Sequence, residues 1–279
     1  MNIVNILEEI EKFDGEVYER LNPRRKAMKD FFSAGSKVTL AALPLALGSM
    51  FKKAYAQNTS GIVDVLNFAL TLEYLEYHFY NHALLAAPGL LTPGTPAHGA
   101  ITTIRDHEKA HVDLLKGAIT TSGGTPVSFT YDQFDFTAKG TFPDVYTNYV
   151  TFLAVAQAFE DTGVRAYKGQ AAALMSNKGV LTTALQIHSV EARHASHIRQ
   201  MRKAPAGGGA NVKPWITGND NTTGTPVAPV YAGEQSVTQA GITITNINGQ
   251  AVSANAASES FDEKLDKQAV LDIASLFIK

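Results

Sequence analysis

Six residues in two matched sets constrain this chain more than anything else in it: Glu73 followed by Glu108-x-x-His111, then Glu160 followed by Glu191-x-x-His194. Each falls where the surrounding helical pattern asks for an apolar side chain. The first segment runs Ile62, Leu66, Ala69, Glu73, Tyr80, Leu84, and the second Ile101, Ile104, Glu108, His111, Leu115, Ala118. The third runs Leu153, Ala156, Glu160, Val164, Tyr167, Ala171, and the fourth Leu181, Ala184, Ile187, Glu191, His194, Ile198, Met201. Apolar residues three and four apart predict one buried stripe per helix, and the stripes break only at these six. Four carboxylates and two imidazoles sharing one interior repel and desolvate one another unless cations sit among them. The pattern predicts a two-metal site inside a helix bundle.

Height along the bundle is an independent check, because facing residues of an antiparallel helix pair lie equally far from the connecting turn. Glu73 and Glu108 are 35 positions apart, and their midpoint falls in Pro88-Gly89-Leu90-Leu91-Thr92-Pro93-Gly94, a helix breaker. Glu160 and Glu191 are 31 apart, with a midpoint beside Ser176-Asn177-Lys178-Gly179, a stop-and-turn signature. Both hairpins therefore bring their carboxylates level. Residues 122–145, with Gly123-Gly124, Pro126, Gly140 and Pro143, separate the hairpins and are long enough to cross the bundle end to end. The expected fold is all-α: a four-helix bundle over residues 57–202 with one long crossover.

This pattern resembles the ferritin-like superfamily, whose two-metal members draw one Glu from each of two helices and a Glu-x-x-His from each of the other two. The likeness covers residues 61–202, and its symmetric set is similar to that of bacterioferritin. The segment LTLEYLEYHFY, together with the exported architecture, resembles bacterial ferritin-like proteins related to the desiccation-associated family. The resemblance implies two iron or two manganese ions per chain. Glu108 and Glu191 would bridge them, Glu73 and Glu160 would be terminal carboxylates, and His111 and His194 would each give one imidazole. Tyr80, seven residues after Glu73, resembles the tyrosine that lies beside the metals in ferritins and is the expected catalytic side chain. Hard oxygen donors with two nitrogens favour iron or manganese over thiophilic metals. The implied chemistry is oxidation of Fe(II) by oxygen or peroxide, or disproportionation of peroxide, serving oxidative or drying stress.

Two other readings stay open at this stage. The metals can act only as staples of the bundle, since metal binding is itself folding free energy. His107-Glu108-Lys109-Ala110-His111 also satisfies the H-E-x-x-H pattern of zinc proteases, in which His107 and His111 bind zinc and Glu108 is the base. That reading leaves Glu73, Glu160 and the second Glu-x-x-His unexplained. His78, His82, His98, His188 and His197 are expected at the surface or just outside the site, with His188 and His197 close enough to hydrogen-bond near it. Glu76 also lies near the inner stripe of the first helix; it is expected at the bundle edge, with a charged interior neighbour as the alternative.

Composition adds exclusions. A chain of 279 residues with 45% hydrophobic residues buries a full core, and a net charge of -2 gives no basic bias toward nucleic acid. Without cysteine there is no disulfide, iron-sulfur cluster or cysteine-ligated electron-transfer iron. The N-terminus reads as a twin-arginine export signal over residues 1–56: Pro23-Arg24-Arg25-Lys26, then Phe31-Phe32, an apolar run from Val38 to Phe51, and a small-x-small end at Ala54-Tyr55-Ala56. That run is shorter than the ~20 residues of a membrane span. A periplasmic or otherwise exported mature protein, with no membrane segment, is expected; the alternative is a retained anchor or structural helix. A homo-oligomer is compatible with this reading.

Beyond Arg202, residues 203–235 read as an extended surface linker in which Trp215 is a candidate anchor. A two-stranded ribbon is expected around 237–254, turning at Asn248-Gly249. A terminal helix is expected behind the capping box Ser260-Phe261-Asp262-Glu263, with Val270, Leu271, Ile273, Ala274, Phe277 and Ile278 on its apolar face. The extension, 203–279, should pack on the bundle, because a lone hairpin is marginal in water.

Overall fold

The computed structural model describes residues 59–220, 225–247 and 249–279; the expected signal region over 1–56 lies outside them. Four long helices dominate: α1 (Thr59–Leu85), α2 (Pro96–Thr121), α3 (Tyr149–Gln170) and α4 (Lys178–Lys203). α1 lies against α2 and α3, and α4 lies against α3 and α2. The starts of α2, α3 and α4 are set chemically. Thr95 accepts from His98 N with Pro96 at the first helical position, Asn148 accepts from Val150 N and Thr151 N, and Asn177 accepts from Val180 N. These caps satisfy backbone N–H groups that the first turn leaves unpaired. α1 ends ahead of the expected Pro88-Gly89 breaker, whereas α3 ends at Gln170 and runs through the 3-10 turn Ala171–Leu174, so that Lys178-Gly179 of the expected stop signature instead begin α4.

The crossover between α2 and α3 is irregular but held. Asp135 turns it by accepting from Thr137 N, Thr137 Oγ1 and Lys139 N. Its Phe134, Phe136 and Val145 are buried, and Phe136 packs on Phe79 of α1 at 5.4 Å between centroids. Asp135 N donates to Phe277 O at 2.8 Å and Lys279 N to Gln133 O at 3.0 Å, which ties the crossover to the chain's C-terminus.

The C-terminal extension forms a second layer on the α1–α3 face. Phe68 and Leu72 of α1 and Ala158 and Ala166 of α3 share one apolar cluster with Ile216, Val227, Val230, Tyr231, Leu265, Val270 and Ile273. Burying each aliphatic side chain of this kind stabilises by roughly 1.5–3 kcal/mol. The consequence for α3 is burial on nearly all sides from Phe152 to Tyr167. Polar residues there need partners, and the extension supplies them. Arg199 of α4 grips Asp161 with Nε at 3.0 Å and Nη2 at 2.6 Å, and reaches Asp220 at 2.5 Å. Arg165 of α3 meets Glu234 at 2.6 Å and donates to the carbonyls of Glu263, Val230 and Ala232.

Three expectations about this region are corrected and one, Trp215 as an anchor, holds. The segment 203–235 is no simple surface linker, since Val212, Ile216, Val230, Tyr231 and Glu234 are buried. Trp215, though half-exposed, does act as an anchor: its side chain hydrogen-bonds Glu259, and its carbonyl accepts from Arg199 at 3.0 Å. The single ribbon is instead two tight hairpins, β1 (Thr238–Gln239) with β2 (Ile242–Thr243) and β3 (Asn246–Ile247) with β4 (Gln250–Ala251). A turn at Ala240-Gly241, both at positive φ, divides what alternation alone makes continuous. Ser260 caps no helix: Ser253 caps the short α5 (Ala254–Ser258), and Asp266 caps the terminal α6 (Lys267–Ala274) by accepting from Ala269 N. Among the described residues no helix is long and apolar enough to cross a membrane.

Candidate metal centre

The six residues singled out by register meet at mid-height between the four helices. Glu73, Glu108, Glu160 and Glu191 are fully buried, and His111 and His194 nearly so. Their ligand atoms form two overlapping clusters: Glu73, Glu108, His111 and Glu191 in one, and Glu108, Glu160, Glu191 and His194 in the other, the atoms within each lying within 4.8 Å of one another. Glu108 and Glu191 belong to both. His111 Nδ1 stands 3.1 Å from Glu73 Oε2, 3.0 Å from Glu108 Oε2 and 3.1 Å from Glu191 Oε1. His194 Nδ1 stands 2.8 Å from Glu108 Oε1 and 3.3 Å from Glu160 Oε2.

Charge is balanced within this group by sharing protons. Burial pushes the carboxyls of Glu73 and Glu191 up, Glu73 to about 7 against the pull of His111, and Glu160 also rises. Burial would push Glu108 up as well, but hydrogen bonds and charge from His111 and His194 outweigh it and hold Glu108 at about 2. Burial lowers His194, yet Glu160 and Glu108 carry it to about 11. His111 rises for the same reason, with Glu73 the largest attraction.

The donor set fits divalent cations on a test independent of charge. Glu108 Oε1, Glu160 Oε2, both oxygens of Glu191 and His194 Nδ1 are buried and make no well-aligned hydrogen bond, although His194 Nδ1 stands close to Glu108 Oε1 and His111 Nδ1 close to Glu191 Oε1. Buried polar atoms are satisfied in the great majority of cases, and these five, all on residues of the two clusters, fit a setting that could hold cations.

Tyr80 lies where the resemblance suggests: its hydroxyl donates to Glu160 Oε1 at 2.5 Å, from α1 across to α3. Sequence reasoning missed its counterpart. Tyr167 follows Glu160 by seven residues as Tyr80 follows Glu73, and its hydroxyl donates to Glu73 Oε1. The repeated spacing was there to be read, but Tyr167 passed as a member of the apolar stripe. Glu76 is corrected from bundle edge to interior. It is 2% exposed, and burial followed by the charges of Glu191 and Glu160 pushes its carboxyl well up. Other buried polar residues of α3 and α4, Gln157, Asp161, Arg165, Arg199 and Arg202, lie outside the predicted stripes, where they meet the extension or one another.

His107 also has a place. Its Nδ1 lies 2.9 Å from His194 Nε2, with the rings stacked 5.2 Å apart, so one imidazole orients the other. Neither candidate cluster includes His107, while Glu108 is common to both; this is the reverse of the H-E-x-x-H arrangement, in which the histidines bind and the glutamate does not. Among the remaining histidines, His78 bonds Phe129 O at 3.0 Å, His82 stacks on Tyr131 and His188 bonds Val164 O at 3.0 Å. His197 lines a cleft of about 780 Å³ together with His107, Arg193 and Met201, with His194 also in its wall. Of the six converging residues, only His194 lines this cleft between α2 and α4.

A family model described as a ferritin-like domain matches residues 61–204. No curated protein matches the chain. No solved structure matches it either.

Proposed function

The chain belongs to the ferritin-like domain family, and from that premise we propose that it is a two-metal protein, holding iron or manganese, that carries out redox chemistry with oxygen or peroxide. The observation that carries the reading is the pair of overlapping clusters sharing Glu108 and Glu191, with orphaned oxygens and a ring nitrogen directed between them.

In this reading Glu108 and Glu191 span both positions, Glu73 with His111 serves one, and Glu160 with His194 serves the other. Two adjacent redox metals, typically about 3.5–4 Å apart, supply two one-electron centres for oxygen or peroxide. The protein's part is positioning. Tyr80 and Tyr167 each fix one terminal carboxylate by a hydrogen bond, His107 fixes the ring of His194, and full burial excludes bulk water from the four carboxylates. Ions and small oxidants would reach the centre through the cleft beside His107 and His197.

The proposal extends to place and purpose. Arg24-Arg25, the apolar run and Ala54-Tyr55-Ala56 support export by the twin-arginine route, which moves folded, already loaded proteins, and the desiccation-associated resemblance supports a role in stress protection. N-terminal sequencing of protein recovered from the periplasmic fraction tests the export; a chain still starting at Met1 there would refute cleavage. For the chemistry, anaerobic loading with Fe(II) or Mn(II) should reach two ions per chain, and stopped-flow mixing of the loaded protein with peroxide should show rapid consumption. Less than half an ion per chain would refute the metal site. Full loading with metal-dependent melting and untouched peroxide would instead make the metals staples of the bundle.

A further inference from the structure

We propose that the cleft between α2 and α4 is a binding site for a small organic anion, an apolar body carrying one carboxylate, whose head group meets Arg193 and His197. The inference goes beyond the two-metal reading above and does not require it.

The cleft follows from side-chain spacing on two helices. Ala97, Ala100 and Ile104 are three and four residues apart and form one stripe of α2, while Arg193, His197 and Gln200, four and three apart, form one of α4. Both stripes line the cleft. The alanines leave open a gap that larger side chains would fill, and its volume of about 780 Å³ falls in the range of small-molecule sites, roughly 300–1,000 Å³. Its two walls differ in kind. The α2 stripe offers an apolar surface and the α4 stripe offers hydrogen-bonding groups, so the occupant that satisfies both is apolar on one side and polar on the other.

The sign of the polar end follows from what the wall contains and what it lacks. Arg193 is the only lining residue with a permanent charge, and no aspartate or glutamate lines the cleft. The side chains of Arg193 and His197 make no hydrogen bond or ion pair with another described residue, so both are free for an occupant. His107 has committed Nδ1 to His194 Nε2 at 2.9 Å, which leaves its second ring nitrogen available. The carboxylates behind His194 balance their charge with the protons of their own group and do not offset Arg193. A guanidinium takes a carboxylate by two parallel hydrogen bonds, whereas a cation would meet like charge and a neutral apolar molecule would cover the guanidinium without pairing it.

The test is calorimetric titration of the full chain with benzoate and with its neutral analogue benzamide, before and after treatment with a chelator, so that benzoate held by a metal is told apart from benzoate held in the cleft. Benzoate should bind alike in both states and at least about tenfold more tightly than benzamide. Arg193→Gln should erase that preference, and Arg193→Lys, which keeps the charge without the fork, should restore part of it. Ala100→Phe, which fills the gap, should weaken benzoate by at least about tenfold as well. In proton resonance spectra the ring signals of His107 and His197 should move with benzoate while those of His78 and His82, outside the cleft, stay in place. Absent benzoate binding, equal affinity for benzamide, binding that vanishes with chelation, or affinity untouched by Arg193→Gln or Ala100→Phe would overturn the inference and leave the two-metal reading standing. A chain that binds benzoate as expected but takes up no metal would overturn that reading alone.

Discussion

Tyr80 donates to Glu160 from the opposite hairpin at 2.5 Å, and Tyr167 returns the same bond to Glu73. Each terminal carboxylate is thus held by a phenol from the other half of the repeat. Burial, reinforced by the neighbouring carboxylate, keeps both phenols protonated far above the usual tyrosine range, so both remain donors at any working pH. Removing one hydroxyl should release one carboxylate only. Tyr80→Phe and Tyr167→Phe are each expected to weaken binding of a single metal by roughly 10–100-fold. Competition titration against a chelator reads this directly, and two silent variants would show that the phenols orient nothing.

Glu108 and Glu191 belong to both clusters, whereas Glu73 and Glu160 belong to one each. Glu108→Ala and Glu191→Ala should therefore abolish paired binding, and Glu73→Ala or Glu160→Ala should leave one ion per chain. The metal-free protein should respond in the opposite sense to Glu191→Gln. Replacing a buried carboxyl that its like-charged neighbours disfavour relieves repulsion, so its melting temperature should rise while metal affinity falls. A variant that lost stability without metal would contradict the account of charge in the centre.

The same charges set a pH dependence. In the metal-free protein Glu73 is raised from 4.5 to about 7, so its contribution to stability is complete below about pH 4.5 and lost as pH rises through 7. His194, raised from 6.5 to about 11, contributes fully below pH 6.5 and loses that contribution as pH climbs toward 11. Both point the same way: metal-free protein should melt at lower temperature at pH 9 than at pH 6. Bound cations take over the neutralising role of these protons, so loading should release protons at pH 7 and flatten the profile. Equal melting temperatures of the metal-free protein at the two pH values would rule this out.

The bundle and the convergence of its six buried ionisable residues were legible because burial of such groups in apolar register has few physical solutions. The level carboxylates followed from the turn signals at residues 88–94 and 176–179, whereas the caps at Thr95, Asn148 and Asn177 emerged only with the structure. Glu76 was not legible, since at three residues from Glu73 its register fits an edge as well as the interior; what decides is Gly163, 87 positions further on. The ion pairs Arg199–Asp161 and Arg165–Glu234 were hidden for a related reason. Their burial depends on a second layer contributed by residues 205–279, and helical periodicity carries no information about what covers the outer face of α3. Two-residue strands are likewise below the length at which alternation distinguishes one hairpin from two.

The docking of that second layer is the remaining prediction. α3 presents Gly169 where the extension passes closest, and a Cβ there would stand 1.9 Å from Leu265 O and 3.0 Å from its carbonyl carbon. Neither atom belongs to a flexible side chain that could swing aside. Leu265 N also donates to Arg165 O at 3.2 Å, so the strand cannot shift without losing that bond. Gly169→Ala should lift the extension locally, exposing the 203–266 segment to limited proteolysis while the four bundle helices persist in far-ultraviolet dichroism. Asp161→Ala acts on the same contact by charge: it strips Arg199 of its two-point partner, leaving a buried guanidinium that only Asp220 balances. Breaking one partner from a buried pair costs about 3–5 kcal/mol, so this variant should lose several degrees of melting temperature as well as protease resistance. Protease patterns identical to wild type in both variants would show that the extension does not depend on α3.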